Sequence, residues 1–344
     1  MTVYKKLSGP WRITFDTNPN MCNLRCIMCE VHSIYNKNRP KTNRIMPFEL
    51  IKKVVNSASR NGLKEIIPST MGEPLLYPYF EDIIWLAKKH NIKVNLTTNG
   101  TFPKKGAEGW GEIILPVASD VKISINGAIK ETAESIMVGV NFEKQIENTK
   151  KFIEVRDDVR KSGVNYPTVT FQVTYMERNV EELPLLLKMA VELDVDRFKG
   201  HHVWVTWPEL EEESLKRDRN AIKKWNNIVE KLYETRERYH KRDGRKIILD
   251  NVYKLPLESS TESIPDSWLC PFTGREAWIA WDGTFNVCCS PDDLRKTLGY
   301  FGNVNNADFM GLWNSEKYNR FIENWGNYEV CKNCNMRRPA SDIT

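Results

Sequence analysis

A chain of 344 residues, 41% hydrophobic and 28% charged, is long enough for one large α/β domain with an appendage. That composition is ordinary for a globular protein, and a net charge of +5 gives little reason to expect a nucleic-acid or membrane partner. The N-terminal "MTVYKKLSGPW" lacks the apolar core of a signal peptide, and runs such as "IIWLA" are too short to span a bilayer, so a cytoplasmic protein with reduced thiols is expected.

The first strand-like run, "WRITFDT" (11–17), places Trp11, Ile13 and Phe15 on one face. "CNLRCIMCE" follows, with Cys22, Cys26 and Cys29, and the next cysteine is Cys270. Pro47 suits a first helical turn, Phe48, Ile51, Val54 and Val55 keep helical spacing, and Gly62 can end that helix. Strand patterns recur at 64–69, 93–98, 121–126, 168–176 and 196–205, and Leu183, Leu186, Leu187 and Ala190 mark a helix between the last two. Six such alternations predict a parallel α/β array, either an open sheet or a partial barrel. Residues 209–246 alternate in charge around a stripe of Trp225, Ile228, Leu232 and Tyr233, which predicts a long solvated helix capping the barrel. "LPLESSTESIPDSW" (255–268) reads as a linker, dividing a barrel unit at 8–254 from a small cysteine-rich unit at 269–344.

Ligands of parallel α/β folds bind at the carboxyl ends of the strands. Each predicted strand here ends in polar or glycine-bearing sequence. The three cysteines follow the first, "TMGEP" (Thr70–Pro74) the second, "TTNG" (Thr97–Gly100) the third and "SINGA" (Ser124–Ala128) the fourth. The fifth ends near Asn179 and the sixth runs into "HHVWVTW" (His201–Trp207). Thr98 reads as structural. Converging on one rim, these turns suit a small, polar, extended ligand. A [4Fe–4S] cube held by three thiolates keeps one iron open to such a ligand, whereas a zinc site would have to borrow a distant fourth donor.

Cys-x₃-Cys-x₂-Cys after the first strand resembles the signature of the radical S-adenosylmethionine (SAM) enzymes. The resemblance implies a partial (β/α)₆ barrel, SAM chelated to the open iron, and its reductive cleavage to a 5′-deoxyadenosyl radical by a low-potential donor such as flavodoxin or ferredoxin. Met71-Gly72-Glu73 resembles the family's Gly-Gly-Glu motif, which holds the SAM amino group, with methionine where the first glycine is usual. Ser124 and Asn126 resemble the fourth-strand residues that meet the SAM ribose or carboxylate, Met28 stands where a residue packs under the adenine, and Asn99 joins the cofactor set.

The second set has Cys331-x₂-Cys334, a metal-knuckle spacing, and a hairpin, "WIAWDGTFNVCCS", with Asp282-Gly283 at its turn. If its second strand stays extended, Cys288 and Cys289 point to opposite faces and only one joins Cys270, Cys331 and Cys334. Four thiolates would close a zinc site or a cluster. This unit resembles the twitch domain, a shortened SPASM domain with one auxiliary [4Fe–4S] cluster. The pattern picks Cys288 as ligand and implies two clusters in all. The architecture is similar to that of 2-deoxy-scyllo-inosamine dehydrogenases and related sugar-modifying enzymes. It implies two-electron oxidation of a small polar substrate, a cyclitol or sugar, with His201, His202, Trp204 and Trp207 lining the pocket and a histidine accepting the proton. Arg275 and Asp292 are further candidates. Epimerisation with Cys289 returning a hydrogen atom is the second reading, and peptide crosslinking the third. With the first strand near Trp11, an N-terminal peptide-recognition domain is not expected. An electron carrier or zinc scaffold would leave the strand-end motifs without a purpose.

Overall fold

The computed structural model describes residues 6–40, 42–69, 71–163, 167–257, 265, 267–290, 292–332, 334 and 336–342. Thr70, linker positions 258–264 and 266, and residues 343–344 lie outside the described residues.

The sheet is built from β1 (Arg12–Phe15), β2 (Glu65–Ile67), β3 (Lys93–Thr98), β4 (Ala118–Ser124), β5 (Thr168–Tyr175), β6 (Arg197–His202), β7 (Ile248–Asp250), β8 (Glu276–Ile279) and β9 (Phe285–Asn286). The helices between them are α1 (Phe48–Ser59), α2 (Phe80–Lys89), α3 (Gly106–Ile114), α4 (Lys130–Ile136), α5 (Phe142–Lys161), α6 (Leu183–Glu192) and α7 (Arg219–Arg238). Strand order is β7-β6-β5-β4-β3-β2-β1-β8-β9, and every pair is parallel except β8–β9. This is the partial barrel expected, with helices on its outside. No described helix is long and apolar enough to cross a membrane.

The strands alternate cleanly. Ile13 and Phe15, Val121 and Ile123, and Val169, Phe171 and Val173 are buried under the helices. The inner face is polar. Arg12 sits between Glu65 and Glu276, 3.2 Å from the latter, Asp120 accepts from Thr168 and Thr170 of β5, and Lys199 pairs with Asp250 at 3.0 Å. At the amino ends of the strands, fully buried Arg156 on α5 binds Asp194 and Asp196, at 3.0 and 2.9 Å, and Lys241 and Arg160 also reach Asp196, each at 2.8 Å. This charged network lies at the opposite end of the strands from the polar turns at their carboxyl ends.

Two expectations change. The sixth strand stops at His202, so Trp204 and Trp207 stand in the loop beyond it. The charged segment forms a packed outer helix, α7, rather than a solvated cap. Asp218 caps it by accepting from Asn220 N and Ala221 N, and Trp225, Ile228 and Leu232 are buried, with Trp225 4.7 Å from the His202 ring. Tyr233, expected in the stripe, is 45% exposed. β8 pairs with β1 through Arg12↔Glu276 to Phe15↔Ile279, extending the barrel edge. Beyond the hairpin come α8 (Asp292–Lys296), α9 (Phe309–Trp313) and α10 (Glu316–Asn324), and α9 and α10 pack with β9 around a small aromatic core of Phe285, Phe309, Trp313 and Tyr318.

Candidate active site

The loop after β1 is held from several directions. Arg25 N and Ile27 N donate to Val138 O and Ile136 O at the end of α4, each at 2.9 Å. Ser33 Oγ donates to Ile27 O at 2.7 Å, and buried His32 places Nε2 2.8 Å from Pro19 O. Trp207 Nε1 donates to Cys29 O at 3.1 Å, so this tryptophan clamps the cysteine loop. Leu24, Ile27, Ile136, Met137 and Val140 form an apolar cluster beneath the loop, with Met28 half-buried against it.

Cys22, Cys26 and Cys29 are half-buried and free. Burial pushes all three thiols up, Cys22 to about 11, and each ionised neighbour opposes ionisation of the next at Cys26. Backbone N–H groups already aim at the sulfurs: Leu24 N lies 3.5 Å from Cys22 Sγ and His32 N 3.2 Å from Cys29 Sγ. Three thiols that resist ionisation alone, with donors placed to stabilise thiolates, fit a cationic metal cluster as ligand set.

The turn after β2 fits tightly against this loop. Glu73 N donates to Met21 O at 2.8 Å, and Asn18 Nδ2 donates to Glu73 O at 2.8 Å. A Cβ at Gly72 would lie 2.1 Å from Asn18 O and 2.7 Å from Met21 O, so this position requires glycine. Met71 lies at the wall of a cavity, so its side chain has space where the family usually has a glycine. The Glu73 carboxylate accepts from Thr98 Oγ1 and Asn99 N, each at 2.8 Å, and from Leu75 N at 3.3 Å. Burial raises its pKa to about 7, against the lowering by those donors. Thr98 is thus a support for Glu73. Asn99 Nδ2 donates to Asn23 Oδ1 at 2.9 Å and lies 3.9 Å from Cys22 Sγ.

Gln145, which carries no spacing signal in the sequence, ties two rim turns together. Its Nε2 donates to Asn99 O at 2.6 Å and Ser124 O at 3.0 Å. Ser124 ends β4, and Asn126 lies just beyond it, fully buried, with Oδ1 accepting from Thr174 N at 2.7 Å. Asn126 therefore joins β4 to β5, whatever else it contacts.

The two histidines separate. His201 is on the inner face with Nδ1 3.1 Å from Gln172 Nε2, and burial followed by the Lys199 charge lowers its pKa. His202 points the other way, into the helix layer against Tyr175 and Trp225, and burial lowers it to about 3. That placement corrects the expectation that His202 lines the pocket. It follows from strand alternation, which cannot turn adjacent residues to one face. Trp204 is 60% exposed. Arg275 lies before β8, and the side chain of Asp292 lies outside the described residues.

In the C-terminal region, Cys270, Cys288, Cys331 and Cys334 influence one another's ionisation, and burial first, then these neighbours, pushes Cys331 to about 12. Thr273 Oγ1 reaches Cys270 Sγ at 3.3 Å, and Ser290 N reaches Cys288 Sγ at 3.4 Å. The hairpin turn is as expected, with Gly283 at φ +87°. Its second strand, however, ends at Asn286. Cys288 and Cys289 thus do not point to opposite faces. Their thiols share a hydrogen bond that lowers Cys288, to about 6, and raises Cys289. Cys289 is exposed at the cavity wall that also holds Met71 and Glu30.

Residues 19–190 match the sequence pattern of the radical SAM superfamily. The chain belongs to that superfamily. Residues 270–335 match an iron–sulfur cluster-binding domain of the SPASM type. The cofactors of this radical SAM protein are therefore SAM and [4Fe–4S] clusters, one in the barrel and an auxiliary one in the C-terminal domain. Among curated proteins it is similar to the tungsten-containing aldehyde ferredoxin oxidoreductase cofactor-modifying protein of Pyrococcus furiosus, 27% identical over 337 residues, covering 92% of this chain and 85% of the relative. It also resembles a probable GTP 3′,8-cyclase of Methanococcus maripaludis, 28% identical over 230 residues, covering 63% of this chain and 69% of the relative. Streptococcus suis SuiB bound to SAM shares the fold, with a TM-score of 0.67 at 19% identity over 95% of this chain and 72% of that one. SuiB has also been crystallised with its precursor peptide SuiA.

Proposed function

We propose that this enzyme oxidises a hydroxyl-bearing carbon of a small polar molecule, a cyclitol or sugar, by two electrons. The observation that carries the reading is a cavity of about 650 Å³ that runs from Glu30 and Met71, beside the cysteine loop, to Cys289 and Ser290, beside the auxiliary cysteines. Its size suits a small molecule. A substrate there lies between the two sets of thiols. The names of both curated relatives, a cofactor-modifying protein and a GTP cyclase, concern small polar molecules and support that class of substrate.

When bound, the barrel cluster and SAM supply a 5′-deoxyadenosyl radical able to take one hydrogen atom, and the auxiliary cluster supplies an acceptor for one electron. The chain's own residues hold and orient. Cys22, Cys26 and Cys29 would anchor the first cluster, and Cys270, Cys288, Cys331 and Cys334 the second. Glu73 has three of its roughly four acceptor sites filled, which leaves one for the SAM ammonium. Met28, Asn99, Ser124 and Asn126 complete the cofactor rim. His201, beside Gln172 on the inner face of β6, does not line this cavity, so the hydroxyl proton is passed to solvent rather than to that histidine.

A second reading is favoured by one feature. Cys289 reaches the cavity and keeps its proton by donating to Cys288, so it could return a hydrogen atom to a substrate radical and give epimerisation. The thiyl left behind would regain one electron from the low-potential donor and one proton from solvent.

Reduced holoenzyme incubated in heavy water with a panel of cyclitols and sugars separates the two. Oxidation is expected to yield a ketone lacking two hydrogens, in wild type and Cys289→Ala alike. A product isomeric with its substrate, carrying one solvent deuterium and missing from Cys289→Ala, would defeat oxidation in favour of epimerisation. A crosslinked product from a parallel peptide panel would defeat both.

A further inference from the structure

The same cavity carries a cation whose charge is not spent. Its charged lining comprises Asp16, Glu30, Asp282, Arg44, Arg295 and Lys296. Most of these are engaged. Lys296 lies 3.6 Å from Asp293, Asp282 Oδ1 accepts from Thr284 N at 3.0 Å, and Asp16, Glu30 and Arg295 each have interaction partners. Arg44 differs. Among the described residues its partner is the face of Trp281, with the guanidinium carbon 5.5 Å from the ring centroid. A guanidinium held over a ring face still has its five N–H donors for hydrogen bonding.

We infer that Arg44, oriented by Trp281, binds an anionic group of the substrate, a carboxylate or a phosphate, and so sets which part of the molecule faces the cysteine loop. This rests on the reading of the cavity as the substrate site. The chemistry follows from the geometry. A planar fork takes two oxygens of one anion at once, and the cation–π contact with Trp281 holds the guanidinium at the cavity. Met71 and Cys289 line the same cavity as Arg44, which puts the anchored group and the reacting carbon in one chamber. Arg44 is exposed, so water satisfies its donors in the absence of an anion, and an acidic or phosphorylated polyol gains a charge-assisted contact there that a neutral sugar lacks.

The test is residue-resolved arginine labelling of the cluster-loaded holoenzyme with phenylglyoxal, read by peptide mass spectrometry. Inorganic phosphate and acetate are the two probes, and exposed Arg60 at the end of α1 is the internal control. At a probe concentration about ten times the apparent Kd, Arg44 labelling is expected to slow about tenfold while Arg60 is unchanged. Protection by phosphate alone supports a phosphorylated ligand, and protection by acetate supports a carboxylate. Trp281→Ala is expected to lose most of the protection. Equal labelling of Arg44 with and without both probes overturns the inference. Reductive SAM cleavage by the same wild-type sample is measured alongside. Its absence would count against the radical reading, whereas its presence with no protection counts against Arg44 alone.

Discussion

Replacing Cys22, Cys26 and Cys29 together with alanine is expected to remove about half of the protein's iron, four of roughly eight atoms per chain, and to abolish reductive cleavage of SAM. The barrel loop holds these thiols apart from the other five cysteines, which lie at Cys270 and beyond. The auxiliary set should therefore load independently. Structural collapse is not expected. The loop is fixed by Ser33, His32, Trp207 and the backbone of Ile136 and Val138, none of which needs the sulfurs. Iron and labile sulfide analysis of anaerobically reconstituted protein, paired with chromatography for 5′-deoxyadenosine, checks both halves. Iron falling to nothing, or SAM cleavage persisting, would show that the two cysteine sets are not independent sites.

Glu73→Ala is expected to weaken SAM binding by about 10- to 150-fold, the worth of a buried hydrogen bond to a charged group, with iron content unchanged. The carboxylate is 2% exposed and joins the turn after β2 to Thr98 and Asn99 at the end of β3. Its pH behaviour has a definite sign. The folded pKa, about 7, lies above the ordinary 4.5 because burial penalises the charge. Between those values the folded state holds a proton that the unfolded state has lost. Without SAM, stability should therefore fall as pH rises from 4.5 to 7, and the Glu73→Ala variant should lack that slope. SAM affinity runs the other way. An ionised carboxylate is the better partner for an ammonium group, so binding should strengthen as pH rises through about 7. Equilibrium binding and thermal midpoints across this range, with wild type and variant side by side, read both trends. Unchanged affinity in the variant would return Glu73 to the role of a loop residue.

The sequence made the rim of the site readable and hid what supports it. Cys22, Cys26, Cys29, Gly72 and Glu73 stand in short motifs at strand ends, where spacing alone carries information. Gln145, Asn18, His32 and Trp207 act across the fold. Trp207 reaches Cys29 from 178 positions away, and no local pattern marks such a contact. The parallel array was legible because each strand alternates and each helix keeps its stripe. β7 was not, being short, and the first strand of the expected hairpin, β8, gave no local sign that it would pair with β1. The two misplaced thiols had a local cause. Cys288 and Cys289 follow a strand that stops at Asn286, so the alternation assumed to continue through them does not set where their side chains point. His202 was lost to the same alternation, since His201 already occupies the inner face.

The central claim is that this chain generates a 5′-deoxyadenosyl radical, and the most direct measurement is single-turnover reduction of the anaerobically reconstituted wild-type protein with SAM. The account predicts that dithionite-reduced protein with full iron occupancy converts SAM to methionine and 5′-deoxyadenosine in equal amounts. Fully loaded, reduced protein that binds SAM and leaves it intact would contradict it.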